Sequence, residues 1–311
     1  MSYRAPSFLF NAHLETIYPS LIRRVTVAPY TRERIFTEDN DFLDLDWIRN
    51  GANRLVVISH GLEGNSQRAY VKGLAKAAVE HGFDVLAWNF RGCSGEINKQ
   101  RRFYHSGATD DLHTVITHVL TTTQYDSIAL TGFSLGGNLT LKYLGERTLH
   151  PRIRKAVVFS VPLDLHSSCE KISHPSNWIY ARRFLNSLKM KVVQKNALYP
   201  DLDISSLKRI RTIKDFDERY TAPLHGYSSA LEYYTQNSSL QFLKNIAIPT
   251  LVINAKNDPF LSDACFPLEL LQDHAYVKMM VPIRGGHVGF AQFTSTGLYW
   301  SEEQAMRFLE S

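Results

Sequence analysis

Ser127-Ile128-Ala129-Leu130-Thr131-Gly132-Phe133-Ser134-Leu135-Gly136-Gly137 joins an apolar, strand-like run to a segment in which Leu139 and Tyr143 stand one helical turn apart. Between the two lies a G-x-S-x-G. A serine on so sharp a strand-to-helix turn occupies a strained backbone conformation, and its neighbours must lack side chains; Gly132, Gly136 and Gly137 meet that need. The turn would lift the Ser134 hydroxyl above the sheet edge, over a helix N-terminus that favours developing negative charge. Ser134 is therefore the candidate nucleophile.

The surrounding chain supplies the sheet this turn requires. Apolar runs at Leu55–Ser59, Val85–Phe90, Ser127–Thr131, Ala156–Val161, Thr250–Asn254 and Tyr276–Val281 read as strands of a parallel sheet covered on both faces. Val71, Leu74, Ala75, Ala78 and Val79 follow helical spacing, with Gly82 placed to stop the helix, and Leu112, Val115, Ile116, Val119 and Leu120 repeat the pattern. Phe42–Ile48 alternates Leu43, Leu45 and Trp47 with Asp44 and Asp46, which predicts a half-exposed strand with a solvated acidic face rather than a metal site. Leu165–Leu240 breaks the rhythm and reads as an insertion. Its first part, Leu165 to Asp215, holds ten Lys or Arg against four acids, a local net of +6.

A serine nucleophile needs a histidine base held by a carboxylate, and in this architecture both follow later in the chain, just past strand ends. Asp258 stands four residues beyond Thr250–Asn254, and His287 follows Tyr276–Val281 among Gly285, Gly286 and Gly289. Asp164 and Asp263 are the competing acids, while His225 and His274 follow no sheet strand. Backbone donors for an oxyanion are expected at Leu62, after the strand ending at Ser59, and at Leu135. His60 is expected to hold that loop. His105-x4-Asp110 is explained by charge and capping at the helix start, and Arg91-Gly92-Cys93 by a turn after a strand.

Composition limits what else the chain does. With 44% hydrophobic and 21% charged residues it is ordinary globular material. A net charge of +5 does not signal nucleic-acid binding. Three cysteines, Cys93, Cys169 and Cys265, lack disulfide or zinc spacing and indicate a reducing compartment. Met1–Arg24 lacks a signal-peptide pattern, so a cytoplasmic location is expected. The basic insertion is read as a solvated helical face, with docking on anionic lipid as the less favoured alternative.

Taken with Asn11-Ala12-His13-Leu14-Glu15-Thr16-Ile17-Tyr18-Pro19, Asn89–Gly95 and Phe216-Asp217 through Thr221–Tyr227, these motifs resemble the α/β-hydrolases, specifically the YheT-like branch of predicted short-chain esterases. Ala12, where many relatives carry glycine, is a small departure. The resemblance implies one α/β-hydrolase domain over 1–311. Its mostly parallel eight-stranded sheet would carry helices on both faces and a helical cap at 165–240. It also implies a Ser134, Asp258, His287 triad that hydrolyses a small-molecule carboxylic ester with no cofactor and no metal. A lipase or phospholipid hydrolase, or a catalytically silent binding module, are the alternative readings.

Overall fold

The computed structural model describes residues 3–311. Eight strands, β1 (Thr31–Phe36), β2 (Phe42–Ile48), β3 (Arg54–Ser59), β4 (Asp84–Asn89), β5 (Ser127–Phe133), β6 (Ile153–Phe159), β7 (Thr250–Ile253) and β8 (Val277–Met280), form one sheet in the order β1-β2-β4-β3-β5-β6-β7-β8. β2 runs antiparallel to both neighbours and every other pairing is parallel. This is the mostly parallel, eight-stranded α/β sheet expected from the sequence.

Alternation within β3 shows why its run reads as continuously apolar. Leu55 and Val57 face one core with the helices α3 (Thr109–Thr122) and α4 (Leu135–Glu146), whereas Val56 and Ile58 face the other with α2 (Ala69–Glu80) and the C-terminal helix Trp300–Glu310. Both faces are covered, so neither can be polar. α2 buries Val71, Leu74, Ala75 and Ala78 as its spacing predicts. It ends where the Phe83 and Gly82 N–H groups bond Ala78 O and Val79 O, with Gly82 at φ +72°. That left-handed stop is a position glycine tolerates best.

β2 departs from expectation. Its alternation is real, but Asp44 and Asp46 are buried rather than solvated. The edge strand β1 places Arg34 and Arg32 against them in two-pronged ion pairs, at 2.7–2.9 Å for Asp44 and 2.8 Å for Asp46. Burial opposes ionisation of both carboxyls, yet the guanidinium bonds outweigh it and hold them below the usual range. A similar device anchors the loop after β4. The buried Arg91 guanidinium meets Asp111 at 2.7 Å, Asp41 at 2.8 Å and Asp39 at 2.9 Å. Asp111 belongs to α3, so this cluster ties a helix to the β1–β2 turn.

The His105-x4-Asp110 stretch also differs in detail. α3 starts at Thr109 without a side-chain cap. Asp110 pairs with Arg102 at 2.7 Å, and His105 turns inward, its ring 4.5 Å from that of His225.

Between β6 and β7 the chain is helical: α5 (Leu165–Ser173), α6 (Trp178–Leu198), α7 (Ile213–Phe216), α8 (Ala222–Leu224) and α9 (Ala230–Asn237). These helices share a separate apolar cluster that includes Leu185, Val192, Phe216 and Tyr233. Seven of the ten basic residues of the insertion are exposed, as a solvated face would be, but lysines of α6 turn inward. Lys191 bonds Glu63 at 2.7 Å, and buried Lys195 donates to Asn98 O, Asn98 Oδ1 and Gln100 O at 2.6–2.8 Å. Burial pushes the Lys195 ammonium down to about 8. The outer face of α6 is not purely polar either, since Trp178, Ile179, Met190 and Val193 are exposed there.

Removing Arg91 would take the ion-pair partner from buried Asp41 and leave buried Asp111 only its 3.6 Å contact with Arg102. Arg91→Ala is therefore expected to cost about 3–5 kcal/mol of folding stability. Urea unfolding compared with wild type checks this; a cost below about 1 kcal/mol contradicts it.

Candidate active site

Ser134 lies between the last residue of β5 and the first of α4, at φ 52° and ψ −118°. Its N–H donates to Phe159 O of β6 at 2.8 Å. A Cβ on Gly132 would overlap the Gly136 carbonyl, and one on Gly136 would overlap the carbonyls of Ser59 and His60. The turn is therefore open only to glycine at both positions.

His287 Nε2 is 3.0 Å from Ser134 Oγ, and its Nδ1 is 2.8 Å from Asp258 Oδ2. An ionised Asp258 can only accept, so the ring proton belongs on Nδ1 and Nε2 presents its lone pair to the serine. Asp258 is buried, and the Phe260 N–H holds its Oδ1 at 2.9 Å. The Phe260 ring packs 4.3 Å from the imidazole and shields it on one side.

The competing candidates fall elsewhere. Asp164 caps α5 through Ser167 N at 2.8 Å. Asp263 is fully exposed beside Lys256. His274 Nε2 meets Leu243 O at 3.0 Å, and His225 faces two backbone carbonyls in the helical segment. Among the described residues no group of three or more His, Cys, Asp or Glu is arranged to hold a metal ion.

The N–H groups of Leu62 and Leu135 have no acceptor among the described residues. Buried His60 holds the loop carrying Leu62. Its Nε2 accepts from Phe90 N at 3.1 Å and its Nδ1 meets Gly61 O at 2.8 Å; burial pushes the imidazole down to about 3, which keeps it neutral. Glu63, next in the loop at φ 54°, fastens it to α6 through Ser187 and Lys191, and Tyr104 Oη donates to Glu63 Oε1 at 2.7 Å.

Three residues, Glu15, Thr16 and Ser160, support the site in ways that spacing alone does not reveal. Helix α1 (Ala12–Ile22) inserts buried Glu15 between the acid and histidine loops. Its Oε2 accepts from Asn257 Nδ2 at 2.6 Å and Gly285 N at 3.0 Å. Arg284 lies 2.8 Å from Oε1 as a charge contact, without the alignment of a hydrogen bond. Thr16 Oγ1 accepts the His287 N–H at 2.9 Å. Ser160 Oγ, from the other side, accepts the Val288 N–H at 2.8 Å. The sequence signal for Glu15 was an acid in a short, otherwise mostly apolar helix, which spacing does not distinguish from a surface residue.

Ser134 and His287 stand where two pockets meet. One, about 140 Å³, lies beneath the inserted helices against Leu165, Ile172, Phe216 and Tyr233. The other, about 410 Å³, opens between Leu21 of α1 and Ile179 of α6. Asp217, deep in the helical segment, presents its remaining accessible surface to the smaller pocket. Thr221 and Tyr234 donate to its two oxygens at 2.6 and 2.7 Å. Burial pushes its carboxyl up to about 6 despite those bonds.

Fold and site together define an α/β-hydrolase, and comparison with known proteins agrees. The family model described as serine aminopeptidase, S33 matches residues 51–265, and the chain belongs to the α/β-hydrolase family. It is 38% identical to "Putative esterase YheT" of Escherichia coli (strain K12), over 90% of this chain and 84% of that one. It is 28% identical to phospholipase ABHD3 of Bos taurus, over 94% of this chain and 74% of that protein. The esterase Pf2001 of Pyrococcus furiosus superposes with a TM-score of 0.61 at 19% identity, covering 93% and 97% of the two chains; at that identity it speaks for the fold alone.

Glu15→Gln keeps the shape and removes the charge that orders both loops. We expect kcat on a soluble ester to fall about 10- to 100-fold with KM little changed, since small misplacements of reacting groups have that effect. Steady-state kinetics beside an unchanged circular dichroism spectrum check this; an unaltered kcat contradicts it.

The raised carboxyl of Asp217 gives a second expectation. Its unfolded value is 3.8, so the cost of the buried charge is absent below about pH 4 and reaches about 3 kcal/mol as pH rises through 6. Asp217→Asn should therefore gain stability relative to wild type between pH 4 and pH 8. Parallel urea titrations at the two pH values measure the difference, and equal differences at both would refute it.

Proposed function

We propose that the protein is a serine ester hydrolase. Ser134 attacks the ester carbonyl while His287 Nε2 takes the hydroxyl proton, and the Leu62 and Leu135 N–H groups receive the oxyanion. His287 returns the proton to the leaving alcohol, and Asp258 holds the ring and offsets its charge. Water then attacks the acyl-enzyme by the same route. The observation that carries this reading is the unbroken line from Asp258 through His287 to Ser134, ending beside two unclaimed N–H donors.

The pockets support short acyl chains. An apolar cavity of about 150 Å³ accommodates benzene, so the pocket of about 140 Å³ beneath the inserted helices suits an acyl group of roughly six carbons or fewer. The larger pocket, about 410 Å³, leaves room for a bulkier alcohol. The helices over 165–240 then act as a cap that closes the acyl side. The likeness to an esterase and to a phospholipase supports ester cleavage. Three free cysteines suit a cytoplasmic setting.

Across p-nitrophenyl esters from acetate to palmitate, turnover should be fastest at short chains and drop steeply beyond about hexanoate. Ser134→Ala should retain the fold and lose at least about 1,000-fold in kcat. Retained activity in that variant, or a preference for palmitate, would sink the corresponding half of the proposal.

A further inference from the structure

α6 has 21 residues and not one Asp or Glu. Its inner side buries Leu185, Val192 and Lys195. Its outer side follows Ile179, Arg182, Arg183, Asn186, Met190 and Val193, spaced 3, 1, 3, 4 and 3 residues apart, which is one stripe of a helix. Trp178, Ile179, Met190 and Val193 are each half exposed or more, as are Leu21 and Ile22 at the neighbouring end of α1. His13 of α1 meets Tyr180 Oη of α6 at 3.2 Å, and farther along, Leu21 and Ile179 both line the larger pocket.

Apolar side chains so exposed, grouped with cations, mark an interaction surface rather than a solvated one. Arg182 and Arg183 form no ion pair among the described residues. The face is also continuous with the site, because Leu21, Ile179 and Arg183 line the open pocket that descends to Ser134. Among the described residues no helix is long and apolar enough to cross a membrane.

We propose that the outer face of α6, with the Leu21–Ile22 end of α1, docks on an anionic lipid surface and turns the open pocket toward it. Bulky apolar groups enter the interfacial layer while the arginines meet lipid phosphates. The ester would then reach Ser134 from the bilayer rather than from water. This rests on the pocket beside Ser134 being the ester site, but docking itself needs no chemistry. It can therefore be measured in the Ser134→Ala protein.

The chain carries its own reporter. Trp178 is exposed, whereas Trp47, Trp88 and Trp300 are buried. With Ser134→Ala protein and vesicles of phosphatidylglycerol mixed equally with phosphatidylcholine, tryptophan emission should shift to the blue and the protein should sediment with the lipid. Trp178→Phe should abolish the shift. Each arginine near such a surface strengthens binding by about fivefold, so Arg182→Glu combined with Val193→Ser should weaken vesicle partition at least about tenfold. The same two substitutions in the active protein should leave hydrolysis of soluble p-nitrophenyl acetate unchanged. Emission that stays constant while the protein remains in the supernatant overturns the proposal. So does equal binding to pure phosphatidylcholine, and so does a concentration-dependent dimer that buries Trp178 without lipid.

Discussion

Ser134 is held at φ 52° and ψ −118°, a conformation that an L-residue keeps only when its surroundings leave no alternative. β5 ends immediately before it, α4 begins immediately after, and its amide is bonded to β6. Strand and helix meet so tightly that Gly132 and Gly136 touch the opposing backbone. The strain is therefore sustained by the central sheet, and the sheet in turn by the two apolar layers that cover it. What this secures is position: the hydroxyl projects beyond the strand ends, where the loops after β3, β7 and β8 converge.

Those loops have no regular structure of their own and are ordered by polar contacts from outside. Glu15 and Thr16 reach in from α1, Ser160 from the end of β6, and Glu63 joins the Leu62 loop to α6. Each contact is at least partly buried and is charged or hydrogen-bonded, so losing one partner leaves the other poorly solvated and unmet. The N-terminal helix and the inserted helices thus have a comparable task, the first for the acid and histidine loops and the second for the Leu62 loop.

The sequence was most informative where one residue type has one physical use. Gly132 and Gly136 mark the turn, and apolar runs mark strands buried on both faces. Asp258 and His287 follow from their places after strand ends, and the structure brings both to Ser134. It was least informative where a polar residue is buried by partners distant in the chain. Asp44 and Asp46 alternate as a solvated face would, and only the register of β1 shows that Arg34 and Arg32 cover them. Glu15 is separated by 270 residues from the Gly285 amide it holds. Spacing carries no trace of such pairings, because they depend on how the sheet closes.

α6 shows how one helix meets conflicting demands. Its inward lysines are satisfied by Glu63, by Asn98 and by backbone carbonyls, which leaves the helix without need of acids of its own. A surface helix stabilised in water usually mixes both charge signs on its outer face. Here the outer face carries arginines, large apolar groups and neutral polar residues but no acid, an arrangement that leaves its cations without partners on the helix. Its orientation is fixed by the lysine contacts beneath, and the same Lys191 that positions α6 also grips the Glu63 loop next to Leu62. Displacement of α6 by anything bound to its outer face would therefore be transmitted through Lys191 to the loop that carries one oxyanion donor.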